Sequence, residues 1–293
     1  ILNVHFLKLL QRIFLKMRII DLFSGVGGLT FGFYYRKYKD HFVRNRKNQF
    51  VFANEYNPFA AKAYSENYPD IPMKNCDIKS LKESDIRKWI GSEPVDLIIG
   101  GPPCQSFSTV GQRNYDEKAQ LYTEYLRVLK IARPKMFLFE NVRGILSMRE
   151  IFYKRDAAGL KDVEGRESLT PRKKPVIDHY GKSVMEILND QFSNLGNGLG
   201  YNIWTERLNA MDYGVPENRE RVFIVGIRND LNLKWNCPPK EKSAHLTIKD
   251  AISDLPEVLE GQSISSYQQL PQNKYQELMR HGSNELTQHF WVL

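Results

Sequence analysis

The sequence predicts an α/β protein built on a doubly wound, mostly parallel sheet. Short apolar runs alternate with stretches of helical periodicity along most of the 293 residues, an order that favours parallel strands with helices on both faces. Polar and glycine-rich segments follow these runs, at the edge where open α/β sheets bind ligands. An apolar content of 42% is enough for a sizeable core, so a folded protein is expected.

The elements of the first half follow in order from Met17. Apolar runs predict strands at MRIIDLF and QFVFANE, and a third, shorter run is IPMKNCDI. A helix is predicted from LTFGFYYRKY, which follows a glycine-rich turn. A second helix is predicted from NPFAAKAYSENYP, because Asn-Pro is a favourable start and the last proline a stop. The polar segment 79–93 carries no predicted element.

The second half continues the alternation. Strands are predicted at VDLIIG and KMFLFENV, and YNIWTERLNA and RVFIVGIR are expected to form a closing pair. Helices are predicted at LYTEYLRVLKIARP and VMEILNDQFSNLG, where apolar residues recur at helical spacing. Two polar, basic stretches, 36–49 and 149–182, are interpreted as solvated loops, although the second also has the charge to contact a phosphate backbone.

Net charge and cysteine content limit which binding partners and which cellular compartment are expected. The net charge of +8 fits a polyanion such as nucleic acid, although charge alone does not identify one. Cys76, Cys104 and Cys237 are too few and too scattered for a disulfide framework or a zinc site, so no metal is predicted and a reducing compartment is favoured. Residues 1–16 are too short and too charged for a membrane span, and they precede Met17, the expected natural start.

One group of candidate residues suits an adenosine-containing cofactor. Gly25 and Gly27 lie in the turn after the first strand, but Thr30 replaces the third glycine of a dinucleotide fingerprint. Glu55 ends the second strand, where a carboxylate can bind ribose hydroxyls, and Asp77 could hold an adenine amino group. A tight turn with structural carboxylates at the strand ends is the alternative interpretation.

A second group has the residue types of covalent catalysis. Cys104 follows two prolines that restrict the backbone, in a position where a nucleophilic thiol would be accessible. Glu140 ends an apolar strand, where a carboxyl group can act as an acid toward a ring nitrogen. The alternatives are a buried structural cysteine and, for Glu140, a helix cap or an ion pair with Arg143.

Arg219 and Arg221 complete the candidates. They lie two residues apart in NRERVFIVG and therefore share one face of an extended chain. Paired guanidinium groups suit a phosphate or carboxylate ligand. Surface ion pairs with Glu217 or Glu220 are the alternative.

In this order and spacing, the motifs resemble those of the cytosine carbon-5 DNA methyltransferases. The matching segments run from Met17 to Arg228 and are DLFSGVGGLTFGF, NEYNPFAAKAYSENYP, DI at 77–78, DLIIGGPPCQSFSTVGQR, FENVRG and NRERVFIVG. The resemblance implies a Rossmann-like sheet that binds S-adenosylmethionine. It also implies a catalytic domain at 17–250, an extension at 1–16 and the start of an incomplete target-recognition region at 251–293.

The resemblance also implies a mechanism. Cys104 adds to carbon 6 of a cytosine flipped out of double-stranded DNA, while Glu140 contacts ring nitrogen 3, and carbon 5 then takes the methyl group of S-adenosylmethionine. Arg221 orients the base, Arg219 supports it, and residues 105–115 close over the site. The positions implied for the cofactor are Phe23, Gly25, Glu55, Tyr56, Asp77, Ile78, Pro103 and Leu121.

The sequence departs from the family in two places. Glu217 stands where the family usually has Gln, and the family's last motifs, which return to complete the cofactor site, have no counterpart before Leu293. A truncated or frameshifted product, or one subunit of a split enzyme, would explain the second departure. The chain by itself is therefore expected to be weakly active or inactive.

The expected function is the modification activity of a bacterial restriction-modification system in the cytoplasm, with a restriction endonuclease acting separately. One alternative is cytosine methylation in tRNA. Another is an inactive remnant that binds DNA or cofactor. An NAD-dependent dehydrogenase is disfavoured by Thr30 and leaves Cys104 without a role.

Overall fold

The structure is a computed structural model that describes residues 16–38, 41–103, 121–153, 177–195, 200–241 and 245–280. The elements in chain order are β1 (Met17–Leu22), α1 (Gly28–Tyr34), β2 (Tyr35–Tyr38), β3 (His41–Arg44), β4 (Asn48–Glu55), α2 (Pro58–Asn67), β5 (Met73–Asn75), α3 (Glu83–Ile90), β6 (Leu97–Gly100), α4 (Tyr122–Ala132), β7 (Met136–Asn141), β8 (Arg149–Tyr153), β9 (Ile177–Ser183), α5 (Val184–Ser193), β10 (Tyr201–Asn209), β11 (Glu220–Arg228), α6 (Ile248–Ile252) and α7 (Lys274–Arg280).

Within these ranges seven strands form the main sheet, in the order β10-β11-β7-β6-β1-β4-β5. Neighbouring strands from β7 to β5 pair in parallel, whereas β11 is antiparallel to both β7 and β10. The mostly parallel sheet and the closing pair of strands predicted from the sequence are confirmed. The order places β1 and β6 at the centre of the sheet.

Both faces of the sheet are covered. Side chains alternate along β6, so that Ile98 packs on one face while Leu97 and Ile99 pack on the other. The face of Ile98 is covered by α3, α4 and α5, and the opposite face by α1 and α2. This double winding buries β6 completely, which explains its uninterrupted apolar sequence.

Three sequence interpretations were wrong. The helix predicted to continue through RKY ends at Tyr34, and β2 and β3 form an antiparallel hairpin where a solvated loop was expected. Likewise, β8 pairs with β9 within the basic stretch 149–182, whose residues 154–176 lie outside the described ranges. Aromatic contacts favour the first hairpin, because the ring of Phe31 on α1 packs tilted against Tyr35 and edge-to-face against Phe42.

The polar segment 79–93 contains the helix α3. Its first turn carries Glu83 and Asp85 and its last turn Arg87 and Lys88, the charge order that complements a helix dipole. Only Ile86 of this helix is fully buried, so the apolar periodicity was too weak to predict it.

At the carboxyl-terminal side of the described chain, α6 and α7 pack together. The Gln276 amide donates to the Asp250 carbonyl at 2.9 Å, and the Arg280 guanidinium donates to Asp254 at 2.8 Å. Both members of the Arg280–Asp254 pair are buried. No helix in the described parts of the chain is long and apolar enough to cross a membrane.

Candidate active site

Most candidate residues lie at one edge of the main sheet. The parallel strands β1, β4, β5, β6 and β7 all end at this edge, and the antiparallel strand β11 begins there. Residues that are far apart in sequence are thus brought together, as expected for a ligand site outside the carboxyl ends of strands.

Glu140 and Arg221 form an ion pair because of the register between β7 and β11. Phe223 lies directly opposite Glu140, and Arg221, two residues earlier, points to the same face of the sheet. The Nε of Arg221 lies 2.9 Å from Oε1 of Glu140, and both side chains are largely buried. The Arg221 Nη1 also donates to the Glu220 carbonyl at 2.7 Å.

The protonation of Glu140 is set by opposing effects. Burial raises the pKa of Glu140 above its ordinary value, while the positive charges of Arg221 and Arg219 act to lower it. Burial is the larger effect, so Glu140 holds a proton more readily than an exposed glutamate. A carboxyl group with a raised pKa, held by a guanidinium, can act as an acid toward a ring nitrogen.

The other arginines have different partners. Arg219 Nη1 lies 3.6 Å from Glu217 Oε1, which is the surface pair considered as an alternative. Arg143 pairs with Glu220 at 3.3 Å, which leaves Arg221 as the ion-pair partner of Glu140.

The chain leaving β6 runs against Glu140. A Cβ on Gly101 would lie 2.7 Å from the Glu140 carboxylate, so the absence of a side chain allows this close approach. The buried Asn141 amide donates to the Pro102 carbonyl at 3.3 Å and fixes the following backbone. Pro103 is exposed. Cys104 and the predicted closing loop 105–115 lie outside the described residues.

The turn after β1 has the backbone geometry of a close ligand approach. Phe23, Gly25 and Gly27 all have positive φ, and the Ser24 N–H donates to the Asn54 carbonyl at 3.0 Å. A Cβ on Gly27 would lie 2.1 Å from the Tyr68 ring, so a side chain there would force the ring to shift. The hydrogen bond from Ser24 to Asn54 joins the turn after β1 to the end of β4.

Glu55 organises the predicted cofactor side. Its two carboxylate oxygens accept backbone N–H groups from Gly25 and Asn57, each at 2.8 Å. Each oxygen retains further acceptor capacity, so these bonds are compatible with a ribose ligand. The neighbouring Tyr56 is 74% exposed and leaves an aromatic surface beside the carboxylate.

The remaining predicted cofactor residues differ in their surroundings. The exposed Asp77 starts a short 3₁₀ turn, Ile78–Ser80, and its Oδ1 accepts the Lys79 N–H at 2.9 Å. The Ile78 side chain is 3% exposed and packs in the core. Leu121, half-buried, immediately precedes α4.

Two buried asparagines support the site; the sequence placed Asn141 at a strand end of the cleft but did not predict its contact, and Asn54 was missed. Asn141 holds Pro102, and the Asn54 amide donates to the carbonyls of Lys74 and Cys76 at 2.8 and 3.0 Å. Each stands at the end of a predicted strand, next to Glu140 or Glu55. A polar residue inside an otherwise apolar strand end was the available signal.

Asp21 is a buried acid beneath the glycine turn. Its Oδ2 accepts a hydrogen bond from Thr30 at 2.5 Å, and Thr30 in turn contacts the Tyr64 hydroxyl at 2.8 Å. Burial raises the pKa of Asp21 from 3.8 to about 8, with Thr30 acting to lower it and Glu55 to raise it. The replacement of the third fingerprint glycine by Thr30 therefore has a structural role.

In the main sheet, β11 is antiparallel to its neighbours, carboxylates flank the glycine turn, and Glu140 pairs with Arg221. Together these features define a Rossmann-like methyltransferase. The family model for C-5 cytosine-specific DNA methylase matches residues 17–155 and 174–289, and the chain belongs to this family. The family predicted from the sequence is thereby confirmed.

Sequence similarity to individual methyltransferases agrees with the family match. The chain is 36% identical to the type II methyltransferase M.DdeI of Desulfomicrobium norvegicum over 280 residues, covering 93% of this chain and 57% of that protein. It is 34% identical to the type II methyltransferase M.AgeI of Thalassovita gelatinovora over 302 residues, covering 93% of this chain and 60% of that protein. The chain thus spans less than two thirds of the length of these relatives. For the type II methyltransferase M.AquIA of Picosynechococcus, at 30% identity, the match covers 83% of this chain and 90% of that protein.

Solved structures share the fold. A protein described as a DNA modification methyltransferase encoded within an E. coli prophage superimposes with a TM-score of 0.59 at 28% identity, covering 86% of this chain and 59% of that one. Spodoptera frugiperda DNMT2 superimposes with a TM-score of 0.54 at 19% identity, covering 84% of this chain and 61% of that one, and shows the fold alone.

Proposed function

We propose that this chain transfers a methyl group from S-adenosylmethionine to carbon 5 of cytosine in double-stranded DNA. The setting would be a restriction-modification system in the bacterial cytoplasm. The observation that carries the proposal is the Glu140–Arg221 pair at 2.9 Å, packed against Gly101 just before the Pro-Pro-Cys segment. Activation of a pyrimidine ring requires a positioned acid and a nucleophile, and Glu140 is a partly buried acid next to the backbone that leads into Cys104.

The residues present fit the proposed cofactor. The Glu55 carboxylate and the exposed Asp77 carboxylate suit ribose hydroxyls and an adenine amino group, and Tyr56 offers an exposed aromatic face. Gly25 has a positive φ, and among the described atoms none lies within 4 Å of where its Cβ would be, so the backbone is open to a ligand. When bound, S-adenosylmethionine would supply an electrophilic methyl group on a sulfonium.

The protein's residues would divide the chemistry as follows. The Cys104 thiolate forms a bond to carbon 6 of cytosine while Glu140 donates a proton to ring nitrogen 3, which makes carbon 5 nucleophilic. Arg221 holds the Glu140 carboxyl group in place and faces the base carbonyl. After methylation, ring nitrogen 3 returns its proton to Glu140, a solvent water takes the proton on carbon 5, the bond from Cys104 to carbon 6 breaks and the thiolate is restored.

The proposal extends to domains and partners. Residues 17–250 would form the catalytic domain and 251–293 the beginning of the target-recognition region. A second polypeptide supplying the remaining motifs, and a restriction endonuclease acting separately, are the protein partners in this proposal. Co-purification from the native cell tests the first of these.

Methyl transfer to different nucleic acids tests the function directly. Excess purified chain would be incubated with S-adenosylmethionine and either double-stranded DNA or tRNA, followed by mass spectrometry of the nucleosides. We expect 5-methylcytosine in DNA, and none with the variant Cys104→Ser. Product in tRNA alone would favour the tRNA alternative, and product in neither would favour an inactive remnant or a chain that requires the second polypeptide.

A further inference from the structure

The Arg127 guanidinium on α4 joins two segments that are distant in sequence. Its Nη2 donates to the Ile78 carbonyl at 2.8 Å and its Nη1 to the Leu81 carbonyl at 2.9 Å. Its Nε donates to Glu124 Oε2 at 2.7 Å, one turn earlier on the same helix. These bonds use all three nitrogens of the planar guanidinium group and fix its orientation.

The two carbonyls belong to the turn that presents Asp77. The Ile78 carbonyl also accepts the Leu81 N–H at 3.2 Å, so Arg127 binds an oxygen that already closes the 3₁₀ turn. On the other side, Asn54 binds the carbonyls of Lys74 and Cys76. The Asp77–Ile78 segment is therefore held from β4 by Asn54 and from α4 by Arg127.

Helix α4 also begins directly after Leu121, another residue assigned to the proposed cofactor site. Arg127 thus links the helix that follows Leu121 to the turn that carries Asp77. We infer that Arg127 is a positioning residue. It sets the distance between the turn that carries Asp77 and the start of α4 at Leu121, the two segments on the adenine side of the site. The inference rests on the proposed function, since it takes S-adenosylmethionine as the ligand.

The surroundings of Arg127 distinguish it from a surface ion pair. Its side chain is 33% exposed and that of Glu124 is 19% exposed. Arg87 on α3 and Arg127 line one groove, but Arg87 pairs with Glu83 of its own helix, and these side chains are 60% and 58% exposed. Arg87 is therefore a matched control: an arginine of the same groove paired within its own helix.

The test measures binding of S-adenosylmethionine and of adenosine by calorimetry, with adenosine measured by displacement where needed. We expect Arg127→Met to weaken both ligands by the same factor, about tenfold. Arg127→Lys should lie between this variant and the wild type, because an ammonium cannot reproduce the planar guanidinium group. Arg87→Met should bind both ligands as the wild type does.

Equal weakening of both ligands assigns the effect to the adenosine part that they share, and thermal unfolding measured in parallel separates this effect from a general loss of structure. If Arg127→Met does not fold, Arg127→Lys and Glu124→Gln take its place, and both must lose affinity while remaining folded. Wild-type affinity in the folded Arg127 variants would overturn the inference alone. A wild-type chain that binds neither ligand would contradict the proposed function for this chain acting alone.

Discussion

At the scale of single residues, burial and charge have opposite effects on the pKa of Glu140. Burial raises this pKa, and the Arg221 guanidinium, which holds the carboxyl group, acts to lower it. Replacing Glu140 by glutamine retains the size of the side chain but removes the transferable proton. We expect Glu140→Gln to slow methyl transfer by about 10²- to 10⁴-fold in single-turnover assays, the usual contribution of a positioned acid.

Glu220→Gln is the matched control for this change. Its carboxylate pairs with Arg143, in the turn after β7, at 3.3 Å and with Arg207, on β10, at 3.7 Å, and not with Arg221. Transfer by Glu220→Gln should stay close to the wild-type rate. Equal loss in both variants would mean that the site responds to any missing carboxylate, and the assigned role of Glu140 would be wrong.

Asp21 makes stability depend on pH. Its pKa is raised from 3.8 to about 8 in the folded chain, so between these values the folded state binds a proton that the unfolded state has lost. The free energy of unfolding therefore falls as pH rises through this window, by about 1.4 kcal/mol per pH unit from this group, and levels off above it.

The variant Asp21→Asn should lack this contribution. Chemical unfolding at pH 6, 7 and 8 would give a steeper loss of stability with pH in the wild type than in the variant. The difference between the two slopes isolates Asp21 from the other titrating groups. Parallel slopes would show that Asp21 is ionised in the folded state.

At the scale of elements, the turn between β1 and α1 depends on glycine for two different reasons. Gly25 and Gly27 both have positive φ, but only Gly27 faces a ring, that of the buried Tyr68. The Tyr68 hydroxyl donates to the Gly27 carbonyl at 2.9 Å. Gly25→Ala should cost about 1–2 kcal/mol for the left-handed backbone alone. Gly27→Ala should cost about 1–3 kcal/mol more because of overpacking.

Denaturant unfolding of the two alanine variants measures this difference. Both substitutions place alanine at a positive φ, +56° at Gly25 and +97° at Gly27, so Gly25→Ala serves as the control for the left-handed backbone. Equal stabilities would mean that Tyr68 moves aside at no cost and that packing against its ring does not fix the turn.

The elements that the sequence predicted well share a physical property. Strands such as β6 are buried on both faces, so their apolar runs are continuous and easily recognised. The hairpin of β2 and β3 and the helix α3 bury little apolar surface, and their formation depends on aromatic contacts or on charge order. Such signals are short, and the polar residues around them indicate a loop.

At the scale of the whole molecule, the sheet explains why the site could be placed before its contacts were known. Parallel strand ends share one edge, so Glu55, Asp77 and Glu140 were expected to lie in one cleft. The contact of Arg221 with Glu140 could not be predicted, because it depends on β11 being antiparallel and on the register that puts Phe223 opposite Glu140. The supports from Asn54 and Arg127 depend likewise on long-range packing.

Covalent trapping tests the central claim most directly. Duplex DNA containing 5-fluorocytosine would be incubated with the chain and S-adenosylmethionine, because fluorine prevents the proton loss that releases the thiol. Mass spectrometry of the digested complex should locate a methylated adduct on Cys104, with none on Cys76 or Cys237 and none in Cys104→Ser. An adduct on another cysteine, or none at a cytosine analogue that the chain demonstrably binds, would contradict it.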